Sequence, residues 1–113
     1  MNQYVLMMRG GDWDSIKQSE KDAIMQRYGA YVRRLKEEGR FKGGNALTGK
    51  GRTMKPTADG VRVTDGPFAD AKEGLNGYFV IEAENLDDAV RIGQDCPCLT
   101  HGETLVVLEV TNN

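Results

Sequence analysis

Cysteine and histidine are scarce in this chain, with two cysteines and one histidine among 113 residues. Cys96 and Cys98 stand one proline apart, too few and too close for the disulfide framework of a small secreted domain, so reduced thiols are expected. Together with His101 they place two thiols and an imidazole within six residues, but structural zinc wants a fourth ligand and no other Cys or His exists. The thiols also follow a predicted helix C-terminus, where the dipole disfavours thiolate. No metal and no cofactor is expected. Long apolar runs are missing as well: nothing approaches the 18 residues of a membrane helix, and Met1-Asn2-Gln3 carries neither a charged n-region nor an apolar h-region. A cytoplasmic protein without membrane contact is the expectation.

Charge of one sign is also in short supply, since the formal net charge is −2. Its distribution is uneven, however: residues 33–55 hold eight Lys/Arg against two Glu, and residues 82–109 hold seven acids against one Arg. A nucleic-acid surface would interleave aromatics with the basic stretch, where only Phe41 stands, so no direct nucleic-acid binding is expected. Gly44-Asn45-Ala46-Leu47-Thr48-Gly49-Lys50 resembles a phosphate loop, but Gly51 occupies the place of the required hydroxyl and no helix-forming sequence follows. A hairpin is the better reading.

What is present is the composition of a folded protein: 39% hydrophobic and 28% charged residues exclude a disordered chain. At this length one domain is expected, spanning 1–113. Tyr4–Arg9 reads as a buried strand ended by Gly10-Gly11. Ser19-Glu20-Lys21-Asp22 has the pattern of a capping box. Ile24, Tyr28, Tyr31 and Leu35 follow at helical spacing, Met25 and Val32 widen the stripe, and Gly39 supplies a left-handed stop. Gly29 costs about 1 kcal/mol against alanine inside a helix, which suggests a close backbone approach there. Asp59-Gly60 marks a hairpin turn before Val61-Arg62-Val63-Thr64. Asn76–Ala83 is the strongest strand, Asn85 caps a second helix through Gly93 with Leu86, Ala89 and Val90 inward, and Leu105–Val110 is the last strand.

This order predicts an α+β fold, a ferredoxin-like split βαβ with an antiparallel sheet and both helices on one face. Tyr78–Ile81 and Leu105–Leu108 are apolar on both sides of their strands, so the second sheet face needs a cover. A second copy, sheet against sheet, gives a homodimer with Val80 and Val107 as candidates for its core.

The segment Thr64–Gly74 is longer and more charged than a connection needs, and Asp65-Gly66-Pro67 is turn chemistry. Asp65-Gly66-Pro67-Phe68-Ala69-Asp70-Ala71-Lys72-Glu73, followed by Gly77-Tyr78-Phe79-Val80-Ile81, resembles the signature of the DGPF-motif branch of the YCII-related proteins. The likeness extends to Tyr4–Met8, Glu38-Gly39, Gly43-Gly44, Cys96-Pro97 and His101-Gly102. It implies a dimeric α+β barrel. The wider family has a proposed His–Asp site, but the matching positions here hold Tyr28 and Cys96, so that chemistry does not carry over. The branch's link with extracytoplasmic-function sigma factors implies a regulatory or companion role as the alternative to an enzyme.

A small-molecule site is therefore expected near the Asp65–Glu73 loop. The sole histidine, His101, with Glu73 and Asp65 as its candidate carboxylate partners, would supply acid/base chemistry. Arg9, Tyr28, Phe68, Lys72 and Tyr78 are the candidate ligand-binding residues, with Lys72 or Arg9 holding an anionic oxygen.

Overall fold

The computed structural model describes residues 1–66 and 74–111. Strand β1 (Asn2–Arg9) leads through a 3₁₀ turn (Trp13–Ser15) to helix α1 (Gln18–Glu37). Strands β2 (Phe41–Ala46), β3 (Arg52–Thr57), β4 (Gly60–Asp65) and β5 (Leu75–Ala83) follow. Helix α2 (Leu86–Gln94), a second 3₁₀ turn (Pro97–Thr100) and β6 (Thr104–Glu109) complete the described chain. The main sheet has the order β2-β5-β1-β6, every described pairing antiparallel. This is the predicted split βαβ arrangement: β1 and β2 flank β5, joined over one sheet face by α1.

Strand alternation sorts the side chains onto two faces. Tyr4, Leu6 and Met8 of β1 and Ile81 and Ala83 of β5 are buried on the helix side, with Phe79, Leu105 and Val107 packed against them. Ile24, Tyr31 and Leu35 come down from α1 as the 3.6-residue spacing predicts. The other face carries Val5 opposite Val80 and Leu108, and Met7 opposite Tyr78 and Val106. Val80 thus lies on the outer face, whereas Val107, the other candidate for a dimer core, packs inward.

Helix ends follow local chemistry at three of four termini. Gly39 takes φ 72°, its N–H reaches Lys36 O at 3.0 Å and Arg40 N reaches Leu35 O at 2.8 Å, a Schellman stop. Asn85 Oδ1 accepts the Asp88 N–H at 2.8 Å and caps α2. Asp95 closes that helix, its N–H bonded to Ile92 O at 3.3 Å. The expected capping box at Ser19 does not form, because α1 starts at Gln18 and leaves Ser19 inside its first turn. The cap position is Lys17, which makes no side-chain cap bond.

Three further expectations change for packing reasons. Met25 is 57% exposed, one position off the stripe that meets the sheet. Gly29 faces open space, so no close approach explains it. In α2 the inward residues are Ala89, Ile92 and Gly93, while Leu86 and Val90 are exposed. Small residues face the sheet because the helix lies close to it: a Cβ on Gly93 would stand 3.0 Å from Leu105 Cδ2.

The β3–β4 hairpin forms a separate two-stranded sheet. Thr57 pairs with Gly60 around Ala58-Asp59, so Asp59-Gly60 does mark the turn.

Candidate functional site

Three segments converge at one end of the main sheet. Gly10 and Gly11, both at φ 74°, turn the chain out of β1 in a left-handed conformation that suits glycine and deliver Trp13. The Pro97–Thr100 turn ends where His101 N and Glu103 N both donate to Cys98 O, at 3.4 and 3.2 Å. Between them Gly102, at φ 87°, reverses the chain. His101 and Glu103 are brought together as a result: Nε2 and Oε2 stand 3.4 Å apart, with side chains only 8% and 7% exposed.

The surroundings fix this pair. Asn76 of β5 donates to Glu103 Oε1 at 2.8 Å and to Gly10 O at 2.6 Å, tying the carboxylate to the β1 exit. Gly11 lies so close that a Cβ there would stand 2.9 Å from Glu103 Cγ. Trp13 and Tyr28 meet the imidazole edge-on, with ring centroids at 5.8 and 6.4 Å. Lys21 Nζ sits over the outer face of Trp13 at 5.5 Å. The Tyr28 hydroxyl bonds Met8 Sδ at 3.6 Å.

Electrostatics follow from this burial. Loss of solvent pushes the Glu103 carboxyl above the ordinary carboxylate range, against the pull of His101 and the Asn76 bond. Burial, then the charges of Cys96 and Glu103, pushes the Tyr28 phenol far up, so it stays protonated. Among the described residues, buried His101 Nδ1 and Glu103 Oε2 have no hydrogen-bond partner. His101 Nε2 faces Glu103 Oε2 at 3.4 Å, which leaves Nδ1 as the ring nitrogen turned away from the carboxyl group.

Of the sequence-predicted residues, the structure brings together Tyr28 and His101. Asp65 is not the carboxylate beside His101: it ends β4, is 95% exposed and pairs with Arg52 at 3.2 Å. The carboxylate that meets His101 is Glu103, which local sequence reasoning missed although it stands two residues on in His-Gly-Glu. Arg9 and Tyr78 lie on the outer sheet face by alternation, opposite to Tyr28, and Asn45 donates to the Tyr78 hydroxyl at 3.1 Å. Phe68, Lys72 and Glu73 lie outside the described residues. Asn76 and Trp13 were also missed; the sole tryptophan placed just after Gly-Gly was the available signal.

A family model for the YCII-related domain matches residues 3–111. The chain belongs to the YCII-related family. An uncharacterized protein of Rhizobium meliloti (strain 1021) is 32% identical over 78 residues, which is 67% of this chain and 63% of that relative. Among solved structures, 5-chloro-2-hydroxyhydroquinone dehydrochlorinase from Burkholderia phenoliruptrix AC1100, in complex with 2,5-dihydroxybenzoquinone, superposes with a TM-score of 0.54. That superposition covers 98% of this chain and 95% of the other at 16% identity, which shows a shared fold.

In this YCII-related domain the charge of Cys96 is among the causes that push the Tyr28 phenol up. Cys96 and Cys98 are buried in the core at 1% and 0% exposure. Cys98 donates to Cys96, which pushes Cys98 up and holds Cys96 below the ordinary thiol value, contrary to the helix-dipole expectation. Among the described residues no group of three or more His, Cys, Asp or Glu is arranged to hold a metal, and no helix is long and apolar enough to cross a membrane.

Proposed function

We propose that this YCII-related chain works as a cytoplasmic homodimer that binds a small molecule at the His101–Glu103 pair and exchanges a proton with it. One observation carries the reading: a histidine and a carboxyl group face each other at 3.4 Å in a setting that excludes water, and His101 Nδ1 has no hydrogen-bond partner among the described residues. An unpaired buried nitrogen costs roughly 1 to 3 kcal/mol, which a ligand hydrogen bond removes. Glu103, its pKa raised by burial, faces the imidazole, while Asn76 orients Glu103. Trp13 and Tyr28 give flat apolar walls suited to a small unsaturated ligand. A fold shared with a dehydrochlorinase solved with a dihydroxybenzoquinone supports a ring of that kind.

The test is a thermal-shift panel of small organic acids and phenols against the wild type, His101→Gln and Glu103→Gln. At least one compound is expected to raise the melting temperature of the wild type and to lose that effect in His101→Gln. Equal stabilisation of wild type and His101→Gln, or no stabilising compound, overturns the reading.

A further inference from the structure

Charge at the start of α1 runs against what a helix prefers. Lys17 holds the cap position without a side-chain cap bond, and Lys21 follows four residues on, in the first turn. Like charges at that spacing repel, and both stand at the helix end where the dipole is already positive. Nearby acids do not compensate them. Asp22 accepts the Gln18 amide at 2.9 Å, Asp12 and Asp14 are exposed beside Trp13, and among the described residues neither lysine forms an ion pair.

Lys21 leans on the candidate site instead. The residue is half-buried, and its Nζ stands 5.5 Å from the centre of Trp13, the ring that meets His101 edge-on. Lys21, Ile24 and Tyr28 share one face of α1, so the same stretch of helix carries this cation and the second ring against the imidazole. The imidazole that both rings meet is 8% exposed, and its Nδ1 has no hydrogen-bond partner among the described residues. A single indole ring separates an uncompensated ammonium from an unsatisfied buried nitrogen, a span within reach of a substituted ring.

We propose that Lys21 selects the ligand of the His101 site and favours planar organic anions, with Nζ holding the charged oxygen of a carboxylate or phenolate whose ring lies along Trp13. This inference rests on the ligand site described under the proposed function and adds the charge of its occupant. Of the cations expected in that role, Arg9 lies on the opposite face of the sheet. A neutral ring of the same shape meets the same apolar walls but leaves Lys21 without a counter-charge, so the preference is for the anion over its neutral analogue.

Isothermal titration of the wild type with benzoate, 2-hydroxybenzoate and cinnamate, each set against its own amide, reads charge at constant shape. At least one acid is expected to bind roughly tenfold more tightly than its amide. Lys21→Gln should lose that preference by weakening the acid and not the amide, Lys21→Arg should restore it, and both should melt within about 2 °C of the wild type without ligand. An acid that binds Lys21→Gln as tightly as the wild type overturns the role of Lys21 while leaving the His101 site standing. Equal affinity of acid and amide in the wild type does the same. If none of the acids binds while a neutral compound still stabilises the wild type through His101, this inference alone falls; with no binder of either kind, both readings fall.

Discussion

Glu103 is buried against His101 by a glycine: a side chain at Gly11 would strike Glu103 Cγ at 2.9 Å. The loop that leaves β1 therefore acts as a wall of the site as well as a connection. Gly11→Ala would have to hold φ 74° with a Cβ and displace the carboxyl group as well. A loss of about 2 kcal/mol or more is expected in urea denaturation, larger than that of Gly49→Ala, where the left-handed φ is present but no atom lies within 4 Å.

Glu103 sets one pH dependence. Burial raises its folded-state pKa, so between the unfolded and the folded value the native state holds a proton that the unfolded chain has released. Stability contributed by this group is present at low pH and falls as pH rises through that window. Urea melts from acid to neutral pH should show this decline in the wild type and its absence in Glu103→Gln. Glu103→Ala should lose about 1 to 3 kcal/mol, because Asn76 then has a donor without its acceptor.

Asp88 has the opposite sign. The Glu84 backbone N–H, then Arg91, with Arg40 adding a 2.9 Å ion pair, holds its carboxyl down from 3.8 to about 2. Its contribution is complete above the unfolded value and is lost as pH falls from about 4 through about 2. Asp88→Asn should flatten that part of the acid unfolding curve.

Tyr31 ties the two helices, its hydroxyl donating to Ile92 O at 2.8 Å in the core. Tyr31→Phe keeps the ring contact with Phe79 and removes only that bond. A loss of about 1 kcal/mol in chemical denaturation is expected, with no effect on ligand binding.

Trp13 provides an optical check on the site, since it is the only tryptophan and its ring meets His101 at 5.8 Å. A ligand that engages His101 should change tryptophan emission. In His101→Gln the same titration should leave the emission flat, whereas Asp65→Asn, altered on the exposed hairpin, should respond like the wild type.

Periodicity and capping chemistry determined most of the fold from the sequence alone. Tyr4, Leu6 and Met8 alternate, Ile24, Tyr31 and Leu35 recur at helical spacing, Asn85 begins a helix and Gly39 ends one, and those patterns need only neighbouring residues to be read. The apolar second face of the sheet was legible for the same reason. The site was not. His101 could be singled out as the sole imidazole, but its partner depended on Gly102 at φ 87° and on two amides sharing Cys98 O. Which carboxylate is buried is a matter of three segments meeting, so Asp65, prominent in sequence, stands in solvent while Glu103 is enclosed. The inward face of α2 was likewise decided by how closely the helix approaches β6, a distance that favours Ala89 and Gly93 over the more apolar Leu86 and Val90. Local patterns fix elements because their energetics are local; burial and the pKa shifts that follow from it belong to pairs of residues that only the tertiary structure brings together.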